Sequence, residues 1–365
     1  MLSPRLQARE EGDSGAMIIS RTPFRISFFG GGTDYPIWRL EHPGAVVATT
    51  INKYCHISCR WLPPFFEHTS RVVWSKIEEV KDRAEIQHPS VRETLKFLDI
   101  TEGIELHHDG DLPARAGLGS SSSFTVGLLH ALYGLKGHMP GKLQLANDAI
   151  YVEQQLLKEY VGSQDQIMAA VGGLHRIDFP MGQTFHISPI ILEGERLDML
   201  QDHLMLFFTG LSRTASEIAE EQIRATSKKT QELYAMYHMV DEAIRILQGK
   251  GDLDAFGQLL HDGWQLKRSL TDRISTPHID DMYETARRAG AIGGKLLGAG
   301  GGGFLLLYVR PEEQPRVREV LEEFLWVPFR FERSGSRIIF YEPEEAYDAA
   351  ATRAGKTARM TPARV

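Results

Sequence analysis

Three glycine-rich segments and two acidic residues carry the chemistry available to this 365-residue chain. Pro113 to Ser123 reads PARAGLGSSSS, and apolar residues then recur at helical spacing from Ser121 to Leu135. The start of such a helix offers free backbone N–H groups, the positive end of the helix dipole and small side chains, which together can cradle a phosphate. The same string also suits a serine-capped helix with no ligand. No GxxxxGK[ST] string occurs, and Gly117 and Gly119 lack a third glycine at dinucleotide-fingerprint spacing. An ordinary P-loop and a Rossmann site are therefore poorly matched.

The second segment, RTPFRISFFGGGTDY from Arg21 to Tyr35, delivers Arg25 on a strand and then presents Asp34 and Tyr35 after a glycine bend. Fixed donors and acceptors of that kind suit a polyhydroxyl ligand, although Asp34 would equally cap a turn. The third, LLGAGGGGF from Leu296 to Phe304, suits a loop lying against a ligand or another glycine-rich loop, or a flexible hairpin. Glu153 falls late in a helical pattern over 141 to 159, and Asp165 follows in VGSQDQIMAAVGG. A chain reversal near Gly162 would return Asp165 to the cleft shared by Glu153 and the serine-rich helix start, where carboxylates can hold Mg²⁺ or take a proton.

These groups need a scaffold of strands and helices. Strand-like runs occupy 17–29 and 44–62, with shorter ones at 71–75 and 103–108 and a weaker helix at 90–99. The pattern changes near 190–200: strand HLMLFFTG, helices near 214–248, 252–270 and 278–289, strands at 291–297 and 303–309, a helix at 314–325 and a strand at 336–341. This predicts an α+β protein of two lobes: a flexible leader at 1–16, a first domain at 17–195, a second at 196–345 and a tail at 346–365. The strand pattern beginning at Met17 suggests that residue as an alternative translation start.

Forty-one Lys and Arg against 48 Asp and Glu leave a net charge of −7, which argues against a broad nucleic-acid face. Two cysteines, Cys55 and Cys59, form neither a disulfide framework nor a zinc motif, and no apolar run approaches a membrane span. A cytoplasmic protein with a small-molecule partner fits these features.

The three glycine segments, in this order, resemble the motifs of the GHMP small-molecule kinases, and the resemblance runs from Met17 to about Glu345. It implies an ATP-dependent phosphotransferase with its active site in the cleft between two α+β lobes. On that likeness, Pro113, Gly117, Leu118, Gly119, Ser120, Ser121, Ser122 and Ser123 would surround the ATP phosphates, and Ser121 and Glu153 would hold Mg²⁺. Asp165 would face the acceptor hydroxyl, with Arg25 beside it, favouring the carboxylate by opposite charge and stabilising the transferring phosphoryl group. Gly31, Gly32, Asp34, Tyr35, Gly300 and Gly301 would lie on the substrate side. Galactokinases carry a Glu and a His where this chain has Gly31 and Gly32, which makes galactose a poor match.

The strings GGGTDYP, AGLGSSSSFTVGLLHAL, SQDQIMAAVGG, FTGLSRTASEI and GGKLLGAGGGGFLLL resemble one branch of the family, the D-glycero-D-manno-heptose 7-phosphate kinases. That likeness implies phosphorylation of the anomeric hydroxyl of a sugar phosphate to the 1,7-bisphosphate, feeding nucleotide-activated heptose and surface glycan synthesis. Arg213 is then the expected cation for the distal or the transferring phosphate. A kinase for a fucose-like sugar or a hexose, and a silent sensor of the same fold, are the alternatives. His107 and His108 should point to opposite faces of a strand and make a poor metal pair, while Trp264 and Lys267 read as packing and solvated face of a helix.

Overall fold

The computed structural model of the chain describes residues 17–62, 66–182, 184–211, 220 and 229–342; the expected leader and tail lie outside them. In chain order the first half runs β1 (Met17–Phe29), α1 (Pro36–Arg39), β2 (Gly44–Trp61), β3 (Ser70–Val73), β4 (Ile77–Val80), α2 (Pro89–Phe97), β5 (Ile104–Gly110), α3 (Ser120–Leu135), α4 (Lys142–Tyr151), α5 (Gln164–Val171), β6 (Leu174–Phe179), β7 (His186–Pro189) and α6 (Gly194–Asp202). The second half runs β8 (Leu204–Phe208), α7 (Thr230–Gln248), α8 (Asp254–Arg268), α9 (Pro277–Arg288), β9 (Ala291–Leu296), β10 (Phe304–Val309), α10 (Gln314–Val320), β11 (Leu325–Trp326), β12 (Phe331–Glu332) and β13 (Arg337–Glu342).

Two sheets organise these elements. A nine-stranded sheet has the order β13-β1-β2-β5-β3-β4, with β12 and β6 also paired to the long β2 and β7 paired to β6. A four-stranded antiparallel sheet has the order β11-β8-β10-β9. Strand β10 is buried along its whole length because its residues alternate between two cores. Phe304, Leu306 and Tyr308 join the core that continues into the large sheet, whereas Leu305, Leu307 and Val309 face a second core with Trp264, Ile279 and Tyr283.

Helix α3 is almost wholly buried against β1 and β2, so its sequence is apolar nearly all round rather than amphipathic. Glycines permit that approach. A Cβ on Gly127 would lie 2.8 Å from Thr22 Oγ1, and one on Gly134 would lie 2.6 Å from Ile18 Cδ1. Because Gly134 meets Ile18 and Gly127 meets Thr22, the helix runs antiparallel to β1 and its N-terminus arrives beside Arg25.

Two expectations are corrected, and a third lies partly outside the described residues. The strand expected at 336–341 to complete the second lobe instead pairs with β1 of the large sheet, as β13. Gly335 N and Ser336 N donate to Val171 O and Ala169 O, so this returning segment caps the end of α5. The helix expected over 141–159 is α-helical only to Tyr151; a π-helical turn follows over Val152–Leu156 and carries Glu153. Of the helix expected near 214–248, the described part is α7, and Arg213 lies outside the described residues.

Helix α8 lies so close to β9 that a Cβ on Gly293 would fall 1.8 Å from Gly257 O, a backbone atom that cannot swing aside. Gly293→Ala should therefore destabilise the protein by about 3 kcal/mol, or roughly 4 °C of Tm by thermal unfolding of a chain this long. An unchanged Tm would refute this packing.

Candidate active site

The cleft is a space of about 430 Å³ between the two glycine-rich loops, the bend after β1 and the start of α5. Its floor is an ion pair. Arg25 Nε donates to Asp165 Oδ1 at 2.7 Å and Nη2 donates to Asp165 Oδ2 at 2.8 Å, a bidentate fork. The third guanidinium nitrogen, Nη1, donates to Gly117 O at 2.8 Å, tying the pair to the serine-rich loop. Arg25 is 6% exposed at its side chain and Asp165 25%, so the carboxylate is the partner open to the cleft.

Above the pair sits the start of α3. Gly119 has φ +73°, and a side chain there would press on Arg25 and Asp165, with a Cβ 3.2 Å from Arg25 Cγ and 3.4 Å from Asp165 Oδ2. Ser123 N donates to Gly119 O, so the amides of Ser120, Ser121 and Ser122 form the open first turn of the helix. No acidic side chain occupies that turn, which leaves its positive dipole end available to an anion.

The expected phosphate-loop residues divide. Gly117, Gly119, Ser120, Ser121 and Ser122 line the cleft. Leu118 is buried in the core, Ser123 Oγ donates back to Pro23 O at 2.9 Å, and Pro113 is exposed away from the lining. Glu153 is wholly buried behind the loop rather than in the cleft wall. Its Oε2 accepts from Ser122 Oγ at 2.8 Å and from Gln166 Nε2, so Ser122 rather than Ser121 is the serine it bonds. Burial, with Glu159 nearby, pushes the Glu153 carboxyl up to about 7, and Oε1 has no hydrogen-bond partner.

On the opposite wall Asp34 is 1% exposed and accepts from Gly32 N at 3.1 Å and from Gln164 N at 3.2 Å. Burial, then the charge of Asp165, raises its pKa. Gly162 must be glycine, because a Cβ there would fall 1.9 Å from Asp34 Oδ2. Gly31, Gly32 and Tyr35 line this wall with Ser27 and Gln164, whose buried Oγ and Oε1 lack partners. Unpaired polar atoms around the open space at Gly31 suit a ligand rich in hydroxyls.

Gly300 and Gly301, expected beside the substrate, pack instead against Ile274. Gly301 N donates to Ile274 O at 2.9 Å, and a Cβ on Gly300 would lie 2.8 Å from Ile274 Cα. From that run it is Gly298 and Ala299 that line the cleft. Of the paired histidines, His107 Nε2 lies 3.1 Å from Glu105 Oε1, whereas the His108 ring meets Phe124 edge-on, on opposite sides of β5.

Lys267 is the larger correction: it is a lining residue, 7% exposed, not part of a solvated face. Its position three residues after Trp264, itself fully buried, places both on the packed face of α8. That spacing was the available signal. Burial, then the charge of Arg25, lowers Lys267 to about 8, and its Nζ donates to Gly298 O. Lys295 of β9, which the sequence reading did not single out, also lines the cleft, with Nζ donating to Ser27 O at 2.9 Å and Phe28 O at 2.8 Å.

Residues 85–173 match the GHMP kinases N terminal domain, and residues 233–327 match GHMP kinases C terminal. A D-glycero-alpha-D-manno-heptose 7-phosphate kinase of Campylobacter jejuni is 25% identical over 84% of this chain and 93% of its own length. A bifunctional fucokinase/GDP-fucose pyrophosphorylase of Arabidopsis thaliana is 23% identical over 82% of this chain and 31% of that longer protein. Among solved structures, a D-glycero-D-manno-heptose 1-phosphate kinase from Bacteroides thetaiotaomicron superposes with a TM-score of 0.73 over 88% of this chain and 99% of that one, at 20% identity. With both domain models matched in order around one cleft, the chain belongs to the GHMP kinases and is a phosphotransferase that uses an alcohol group as acceptor.

Proposed function

We propose that the protein uses ATP to phosphorylate the anomeric hydroxyl of D-glycero-D-manno-heptose 7-phosphate, giving the 1,7-bisphosphate for nucleotide-activated heptose synthesis in the cytoplasm. The observation that carries the reading is the Arg25–Asp165 fork directly under Gly119, where an acceptor oxygen would meet a phosphate held by the first turn of α3. The likeness to the Campylobacter jejuni enzyme supports the choice of sugar.

Phosphoryl transfer asks a protein chiefly for alignment and charge neutralisation. The amides of Ser120 to Ser122 hold the phosphate oxygens, and Arg25 fixes the plane of the Asp165 carboxylate. As the acceptor oxygen bonds to the γ-phosphorus and the bond to ADP breaks, Asp165 takes the hydroxyl proton. Asp34, Tyr35, Ser27 and Gln164 orient the sugar from the other wall.

The carboxylate and hydroxyls at the loop suit Mg²⁺, a hard cation that takes oxygen ligands together with substrate phosphates, and the partnerless Oε1 of Glu153 is a donor awaiting such a charge. Glu153 with Ser121 would hold the ion. When bound, Mg²⁺ neutralises charge on the phosphate oxygens. Ser122 and Gln166 keep the other Glu153 oxygen in place.

An ADP-release screen over sugar 7-phosphates, sugar 6-phosphates and free sugars tests the substrate. The heptose 7-phosphate should give the highest kcat/KM; a fucose-like sugar or a free hexose turning over faster would replace this reading. Asp165→Ala should lower kcat roughly 100-fold or more while ATP affinity stays within a few fold, the range expected for loss of a general base. Near-normal turnover would remove Asp165 from the chemistry. Glu153→Gln should raise the Mg²⁺ concentration for half-maximal rate by about tenfold or more; an unaltered magnesium titration would exclude Glu153 as a ligand.

A further inference from the structure

Two lysines and an arginine from three different elements converge on one wall of the cleft. Arg25 comes from β1, Lys267 from α8 and Lys295 from β9, and each is at least nine-tenths buried. Burial and then Arg25 disfavour the cationic form of Lys267, which the charges of Asp165 and Asp34 favour, and burial, Lys267 and Arg25 all disfavour that of Lys295. The nearby carboxylates are already committed. Both Asp165 oxygens lie on the Arg25 fork, and both Asp34 oxygens accept main-chain amides. Among the described residues neither lysine has a carboxylate within ion-pair distance.

Each ammonium carries three donors. Lys295 places two on Ser27 O and Phe28 O, and Lys267 places one on Gly298 O. Donors are left over on both groups, at the wall of a cleft with room for a ligand. Buried cations without anionic partners are costly, and a ligand bearing a dianion would relieve that cost where a neutral sugar could not.

We propose that Lys267, backed by Lys295, is a phosphate-binding residue of the cleft, taking a phosphate that belongs to the acceptor or to the group in transfer. The inference rests on the kinase reading for which molecule bears that phosphate, though not for the binding itself.

Titration of the full chain with inorganic phosphate, by calorimetry, tests the binding without any turnover. Lys267→Met should weaken it by about tenfold or more, the loss of a charged hydrogen bond, while Lys267→Arg should retain most of it. Equal phosphate binding by the wild type and by a folded Lys267→Met would overturn the proposal. Should the methionine variant not fold, the wild-type chain supplies the measurement: phosphate should shield Lys267 from amine acylation, read by mass spectrometry, and identical labelling with and without phosphate would equally overturn it.

Kinetics of the same variants then identify the bearer. A KM raised about tenfold for the sugar phosphate at unchanged kcat assigns the phosphate to the acceptor. A kcat lowered for phosphorylated and free sugars alike, at unchanged KM, assigns it to the group in transfer. If no sugar phosphate is turned over and inorganic phosphate still depends on Lys267, the substrate reading fails and the site stands. If sugar phosphates react and Lys267→Met changes neither phosphate binding nor kinetics, this inference fails alone.

Discussion

The site depends on a contact with no room for side chains. Gly117 of the serine-rich loop and Gly298 of the second glycine run meet backbone to backbone: a Cβ on Gly117 would fall 2.4 Å from Leu297 O, and one on Gly298 would fall 2.4 Å from Gly117 Cα. Both glycines also have positive φ, +82° and +76°. Through this contact the end of β9 abuts the start of α3. Arg25 holds Gly117 O from below and Lys267 holds Gly298 O from the side, so the two cations grip the two halves of the same junction. A bulkier pair of loops would separate the first turn of α3 from Lys267.

The charges around that junction are spread between bonded and unbonded roles. Asp165 is fully engaged by Arg25 and still a quarter exposed, which leaves it oriented yet reachable. Asp34 and Glu153 are buried, and burial pushes both towards the neutral acid, while the charges of Asp165 and Asp34 favour the cationic form of Lys267 against its own burial. Donor and acceptor capacity therefore meet at the cleft: Lys267 and Lys295 have donors to spare, and Oε1 of Glu153 has no hydrogen-bond partner among the described residues. On the proposed reading, a phosphate accompanied by a metal ion would engage both, which is a physical reason for such a site to favour a charged ligand over a neutral one.

The parts legible in the sequence were those encoded within a few neighbouring residues. The GLGSSSS turn, the strand carrying Arg25 and the bend carrying Asp34 all announce themselves by glycine, hydroxyl and β-branched composition over short windows. Lys267 was harder to read, because HDGWQLKRS has the charge pattern of an ordinary exposed helix, its spacing from Trp264 was the one hint, and the close packing of Gly257 on Gly293 that turns the face inward is a long-range contact. The π-helical turn at Glu153 was equally hidden: VEQQL contains neither Pro nor Gly to mark a break, and the extra residue per turn is set by packing. Gly300 and Gly301 showed the converse, since a glycine run states that something approaches closely without stating whether it is a ligand or Ile274.

Strand β13 carries the topological lesson furthest. RIIFYE reads as a strand from its residues alone, but its partner lies more than 300 positions back, at Met17 to Arg21. No local pattern specifies that pairing. Its consequence is functional, because the segment just before β13 supplies Gly335 N and Ser336 N to the last carbonyls of α5, while a Cβ on Gly172 would collide with Gly335 N at 2.1 Å. Ser336 Oγ also accepts from Thr22 Oγ1 at 2.8 Å and lies 2.9 Å from His130 Nδ1, joining β1 and α3 to the same point. Helix α5 begins with Gln164, Asp165 and Gln166, which touch Asp34, Arg25 and Glu153 respectively. A clamp on the far end of so short a helix fixes the direction of all three, so the returning chain positions the Asp165 carboxylate in the cleft without contributing a lining residue itself.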